Sequence, residues 1–312
     1  MSNPCDRTSK EKDIKVDCFV KKQKKDKPFL LFDDIDGNLE YTKEKFSTNL
    51  HIGQRKLFLA ELLFLVKCYK YYNDKDEKKL IYIGAAPGNH TYLLTILFPD
   101  ITFHLYDKKK FNIQETKNVK IFNQFFLEED VKPIKNCLFV SDIRTENPSE
   151  EIIEDDMELQ KNIVKKMQPL ASLLKFRVNF TPDRPNVFKY LDGDLYVQIY
   201  APINSSELRL MIIKDIHNYE EKKYKIDEVE SKCSYFNKII RKEYYYDHEY
   251  SCISHHFDGI SEVQVWIDFL NFKKIKHTKE LICSLINLLS YTIINYQEFD
   301  KILSEKNKIL KY

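Results

Sequence analysis

Between residues 80 and 214, short runs rich in Ile, Val, Leu, Phe and Tyr recur at 80–83, 101–107, 119–125, 137–142, 173–180, 195–200 and 207–214, with helical stretches at 91–98 and 150–167 between them. Strands that alternate with helices pair in parallel and bury both faces of their sheet. Residues 201–206 form too short a link for a crossover, so the last two runs are expected to pair antiparallel. The spacing of Leu57, Phe58, Leu62, Leu65 and Val66 predicts another helix over 54–72. The expected fold class is α/β and Rossmann-like: a mainly parallel sheet with one antiparallel strand and helices on both faces.

The 312 residues carry 50 Lys+Arg against 48 Asp+Glu, a near balance that leaves partners to be argued from where the charges lie. Residues 1–27 hold nine Lys/Arg against five acids and few apolar groups, and are expected to form a flexible basic arm. A main domain is expected over 28–275 and a helical extension over 276–312. The apolar run at 281–296 is broken by polar residues and is shorter than the roughly 20 residues a membrane span requires, so no membrane association is expected. It reads as core or as a partner contact. Seven cysteines without a CxxC pair, and no signal peptide, suggest a reducing, intracellular compartment. His248, Cys252, His255 and His256 lack the spacing of a structural zinc site, so no metal is expected. The acidic run at 150–158 is expected to be a solvated helix face.

Two of the six glycines, Gly84 and Gly88, lie within five residues, where the first of these strands turns into a helix. Small residues there let a ligand approach the backbone at the carboxyl edge of the sheet. Asp107, 23 residues after Gly84, ends the next strand, where an acid accepts hydrogen bonds from a ribose diol. Together they predict an adenosine-containing ligand. The loop lacks G-x-G-x-x-G, and Pro87 removes an N–H that could face a pyrophosphate, which disfavours a dinucleotide; no G-K-[ST] follows, which excludes a P-loop. S-adenosylmethionine, a dinucleotide and a turn without ligand all remain open on these residues, with the first favoured.

Lys56, Asp142, Lys175 and Glu207 stand at element ends over 150 residues, and spacing alone does not make them a site. The strings around Gln54 to Lys56, Tyr82 to His90, Asp142 to Arg144, Lys175 to Arg177 and Glu207 to Arg209, in that order, resemble the poxvirus cap-specific mRNA 2′-O-methyltransferases, which also serve as the small regulatory subunit of the viral poly(A) polymerase. The Lys-Asp-Lys-Glu order is shared with the wider RrmJ-like 2′-O-methyltransferases. The resemblance runs from about residue 27 to about 241. It implies an S-adenosylmethionine-dependent methyltransferase fold, transfer of a methyl group to the ribose 2′-OH of the first transcribed nucleotide of capped mRNA, and a heterodimer with a polymerase catalytic subunit. It also implies a cytoplasmic location at the viral replication site, with packaging in the virion. The rival is a non-catalytic RNA-binding subunit that stimulates poly(A) tail elongation. Lys175 would be the base, its pKa depressed by desolvation and by Lys56, with Asp142 and Glu207 orienting it.

By the same resemblance, Gln54, Tyr82, Gly84, Gly88, His90, Asp107, Lys109, Phe125, Phe126 and Asp142 would line the donor pocket. Tyr41 and Phe180 would stack on the cationic 7-methylguanine, with Asp183 and Glu230 accepting its N–H groups. The 180–183 stretch is one residue longer than the family pattern, and Asn204 replaces an expected Tyr. Only seven residues are arginine, and Arg55, Arg144, Arg177 and Arg209 lie beside the tetrad positions. Arg144, Arg177 and Arg209 are therefore expected to bind the cap triphosphate and the first RNA phosphates.

Overall fold

A computed structural model describes residues 23–25, 28, 30–41, 50–145, 148–179 and 185–310. The strands are β1 (Gln23–Lys25), β2 (Lys78–Ile83), β3 (Ile101–Tyr106), β4 (Val119–Phe122), β5 (Cys137–Ser141), β6 (Ala171–Phe176), β7 (Val187–Leu191), β8 (Asp194–Tyr196), β9 (Leu208–Ile213), β10 (Glu221–Lys225) and β11 (Tyr244–Tyr246). The helices are α1 (Leu50–Cys68), α2 (Thr91–Leu97), α3 (Glu150–Met167), α4 (Lys214–His217), α5 (Ile226–Tyr235), α6 (Arg241–Glu243), α7 (Phe257–Phe272), α8 (Lys279–Ile294) and α9 (Phe299–Leu310). A π-helical turn, Phe236–Ile240, joins α5 to α6.

The main sheet runs β4-β3-β2-β5-β6-β9-β8. Neighbours from β4 to β6 are parallel, and β9 opposes both β6 and β8, so β9 is the single reversed strand of the expected topology. Every residue of β5, β6 and β9 is buried, because helices cover both faces. β8 stops at Tyr196, short of the expected 200, and Tyr200 adopts a left-handed backbone at φ 59°. Periodicity also overlooks the antiparallel pair β7–β10, short and rich in lysine and tyrosine, which packs Phe188 and Tyr190 against Phe176.

The C-terminal helices share the core of the sheet. Ile282, Leu285, Ile286 and Leu289 of α8 and Ile302 of α9 are fully buried in one cluster with Phe58 and Leu62 of α1 and Trp266 of α7. Of the two alternatives for the 281–303 run, core is the outcome. Within the basic arm, Gln23–Lys25 pairs in parallel with β11; residues 1–22, 26 and 27 lie outside the described residues. No helix among the described residues is long and apolar enough to cross a membrane.

Cys252 and Cys283 are joined by a disulfide, their Cα atoms 5.7 Å apart, whereas Cys68, Cys137 and Cys233 are buried free thiols. The cysteine spacing announces no such pair; packing of the chain after β11 against α8 brings the two together. The neighbouring His248 and His255 stack at 4.1 Å, their ring nitrogens engaging the carbonyls of Ser254 and Tyr246.

The acidic run on α3 is only partly a solvated face. Ser149 caps the helix, and on its inner side Asp156, buried, accepts bonds from the Thr145 N–H and hydroxyl, while Glu150 turns to Arg177.

Candidate active site

The sheet brings the four residues Lys56, Asp142, Lys175 and Glu207 together at the carboxyl edge of its parallel strands. Asp142 follows β5, Lys175 ends β6 one residue from its terminus, Glu207 precedes β9, and Lys56 comes from the first turns of α1. Lys56 Nζ lies 3.0 Å from Glu207 Oε1, and Lys175 Nζ lies 3.1 Å from Asp142 Oδ1 and 3.3 Å from Glu207 Oε2. All four are less than a fifth exposed.

Arg209 is a fifth member that the sequence placed elsewhere. It is 2% exposed, donates to Asp142 Oδ1 at 2.6 Å and approaches Glu207 Oε1 at 3.7 Å. A guanidinium so buried and so engaged does not reach an RNA phosphate, so Arg209 is removed from the phosphate-binding set and belongs to the framework of the tetrad. Gln198, which no motif marked, completes it: its amide donates to the Glu207 carbonyl and carboxylate, both at 3.0 Å, and accepts from Arg209 Nε at 2.9 Å.

Three cations therefore surround two carboxylates. Burial alone would raise the Asp142 carboxyl, but Lys175 and Arg209 outweigh it and bring it down to about 2. Glu207 is likewise held well below the ordinary carboxylate range, its burial overcome by Lys175, Lys56 and Arg209. Burial lowers the Lys56 ammonium below its usual value, with Arg209 and Lys175 adding to the effect and Glu207 opposing it. The amine expected to be depressed is Lys175; the amine that burial lowers here is its neighbour Lys56.

Beside the tetrad, Gly84 and Gly88 both adopt left-handed backbone, φ 75° and 74°. A Cβ on Gly84 would lie 2.8 Å from the Asp142 carbonyl carbon, so the loop passes too close to the end of β5 for any side chain. Asp107 fastens this loop: one carboxylate oxygen accepts the Ala86 N–H at 3.1 Å and the other the Lys109 N–H at 2.8 Å. The Lys109 side chain is exposed. Phe126 packs edge-on against Tyr106, whereas the Phe125 ring is 63% exposed with the Lys108 ammonium 5.0 Å from its centre. An exposed aromatic ring just after β4, at the same carboxyl edge of the sheet, suits a flat base. Gln54, Tyr82 and His90 also meet here, but inside the protein: all three are at least 96% buried and hydrogen-bonded to one another or to Glu61. Glycines, a ribose-height acid and an exposed ring fit an adenosine-type donor.

On the far side of the tetrad, the Tyr41 hydroxyl donates to the Asn204 carbonyl at 3.3 Å. Burial raises this phenol, Arg177 opposing and Glu230 and Glu150 reinforcing, so these residues form one neighbourhood. Burial also raises the Glu230 carboxyl. Phe180 and Asp183 lie outside the described residues. Arg177 makes a two-pronged pair with Glu150 at 2.7 and 3.0 Å, and Arg144 approaches Asp156 at 3.6 Å. Arg55 is buried against Glu262, which also accepts from the Tyr200 hydroxyl at 2.9 Å. All four motif arginines thus have carboxylate partners, the alternative to phosphate binding that charge alone does not distinguish. Among the described residues no group of His, Cys, Asp and Glu is arranged to hold a metal ion.

A family model described as the poly A polymerase regulatory subunit matches residues 24–289. The cap-specific mRNA (nucleoside-2′-O-)-methyltransferase of myxoma virus (strain Lausanne) is 32% identical over 254 residues, covering 72% of this chain and 73% of the relative. The protein of the same name from fowlpox virus (strain NVSL) is 30% identical over 249 residues, covering 72% of this chain and 80% of the relative. With the family model spanning most of the chain and both relatives covered over more than two thirds of their length, the chain belongs to the poly(A) polymerase regulatory subunit family.

Proposed function

We propose that this protein transfers a methyl group from S-adenosylmethionine to the ribose 2′-OH of the first transcribed nucleotide of capped mRNA. The observation that carries the proposal is the assembly of Lys56, Asp142, Lys175 and Glu207 within one hydrogen-bonded cluster beside the Gly84–Gly88 loop, in a chain that is similar to cap 2′-O-methyltransferases. S-adenosylmethionine, when bound, supplies an electrophilic methyl on a sulfonium. Gly84 and Gly88 give it close backbone approach, Asp107 stands at ribose height, and Phe125 with Phe126 offers a face for the adenine.

Asp142 and Glu207 hold Lys175 Nζ in place, where as the free amine it would take the proton that the 2′-hydroxyl loses as its oxygen displaces the donor's sulfur from the methyl carbon, the donor leaving as a neutral thioether. With Lys175 as the free amine, Lys56 and Arg209 balance the charges of Asp142 and Glu207; the proton it takes makes Lys175 the third cation, which favours negative charge developing on the 2′-oxygen. Tyr41 and Phe180 take the 7-methylguanine, with Asp183 and Glu230 at its polar edge, and Arg144 and Arg177 exchange their carboxylates for RNA phosphates when substrate arrives. The site of action is the cytoplasm, where a poxviral transcript is made.

Labelled methyl transfer to RNA carrying a 7-methylguanosine cap tests this, with a 2′-deoxy first nucleotide as control. Transfer that persists on the deoxy substrate defeats it.

Family membership favours a second role for the same chain, as the stimulatory partner of a poly(A) polymerase catalytic subunit. Lys175→Ala separates the two: methyl transfer is lost and stimulation of tail elongation stays.

A further inference from the structure

We propose that Glu61, which lies in none of the motif strings, is the positioning residue that holds the methyl-donor loop to the helix carrying Lys56; the proposal rests on the methyltransferase assignment. Glu61 sits two helical turns after Gln54 on the same face of α1, and is 3% exposed. One carboxylate oxygen accepts the Tyr82 hydroxyl at 2.7 Å, and the other lies 3.0 Å from His90 Nε2. The second ring nitrogen of His90 returns to Gln54 Oε1 at 2.8 Å.

The sequence positions of these partners explain what the cluster does. Tyr82 is two residues before Gly84, and His90 is two residues after Gly88. The glycine loop is therefore suspended between two buried side chains, and both are bonded to the same carboxylate. A carboxylate taken out of water is costly unless its lone pairs are filled, and here they are filled by the residues on either side of the loop. Glycines in left-handed backbone give the loop freedom, so something outside it has to set its position relative to α1. Glu61 links both ends of the loop to the helix that also presents Lys56 to Glu207.

Because Gln54, Tyr82 and His90 are enclosed in this network, their effect on donor binding passes through Glu61 rather than through direct contact by their polar tips. A glutamine at 61 can keep every bond: its carbonyl accepts from Tyr82, and its amide donates to a His90 whose other nitrogen donates to Gln54. An alanine can keep none.

The test measures S-adenosylmethionine affinity by calorimetry, capped-RNA affinity by fluorescence anisotropy, and kcat at saturating donor, for the full chain and for Glu61→Ala and Glu61→Gln. Glu61→Ala should weaken donor binding by about tenfold, while capped-RNA affinity and kcat at saturating donor stay within about twofold. Glu61→Gln should restore donor affinity to within about twofold of the parent. If Glu61→Ala does not fold, Tyr82→Phe removes one bond while preserving the ring, and should weaken donor binding by about threefold with the same selectivity. Unchanged donor affinity in both Glu61→Ala and Tyr82→Phe, or equal losses of donor and RNA affinity, overturns the proposal while the parent still binds donor. A parent chain that binds no S-adenosylmethionine overturns the methyltransferase assignment itself, and this proposal with it.

Discussion

Lys175 and Arg209 face each other directly across the antiparallel β6–β9 pair, and both cations converge on one oxygen, Asp142 Oδ1, at 3.1 and 2.6 Å. Two positive groups on one lone-pair site hold the carboxylate rigidly and leave Lys175 sharing its partner. Arg209→Ala should therefore free Asp142 to bind Lys175 alone and slow methyl transfer by about a hundredfold. It also takes one of two cation partners from the buried Asp142 carboxylate, at a cost of about 3 kcal/mol. Single-turnover transfer and urea unfolding check the two effects; a chain with parental rate would show that the arginine is dispensable.

Acid should destabilise the protein in a defined window. The Asp142 carboxyl is depressed to about 2 from an ordinary value near 4, so the stability it contributes is fully present above about pH 4 and disappears as pH falls toward 2. Glu207, also depressed, acts in the same direction. Urea midpoints between pH 5 and pH 2 should drop steeply for the parent and less for Asp142→Asn, with about 2 kcal/mol separating the two slopes over that range. Equal slopes would contradict the ion-pair account.

The two loop glycines should differ in tolerance. An added Cβ at Gly84 meets backbone at 2.8 Å, whereas at Gly88 the nearest atoms are side chains, Ile113 at 3.1 Å and Phe111 at 3.4 Å, which can give way. Both pay the strain of left-handed backbone, about 1 kcal/mol. Gly84→Ala should therefore lose donor binding and fold less stably, with Gly88→Ala intermediate; calorimetry on both variants gives the order.

Tyr41 should discriminate capped from uncapped RNA. Its ring stands among Arg177, Glu230 and Glu150, and its hydroxyl is tied to Asn204. Tyr41→Ala should raise the KM for capped RNA by about tenfold and leave S-adenosylmethionine affinity unchanged. Tyr41→Phe should keep most of the cap affinity, since the ring rather than the hydroxyl makes the stack. A loss equal for capped and uncapped RNA would move Tyr41 out of the cap site.

Much of this protein was legible before folding. Local runs of β-branched and aromatic residues located all seven strands of the central sheet, and the glycine pair identified the turn at its carboxyl edge, because both signals arise from neighbours in sequence. Motif order supplied Lys56, Asp142, Lys175 and Glu207. What only the tertiary structure decided is which charges meet. Arg209 looks the same in sequence whether it faces an RNA phosphate or Asp142, and the β6–β9 register chose Asp142. Gln198 and Glu262 carry no local pattern at all and act through contacts 9 and 207 residues away. Glu61 left one faint trace, its two-turn spacing from Gln54, but its partners on β2 and at the start of α2 meet it only after the sheet has formed. Hydrophobic periodicity is written along the chain, whereas the partner of a buried charge is set by distance in space.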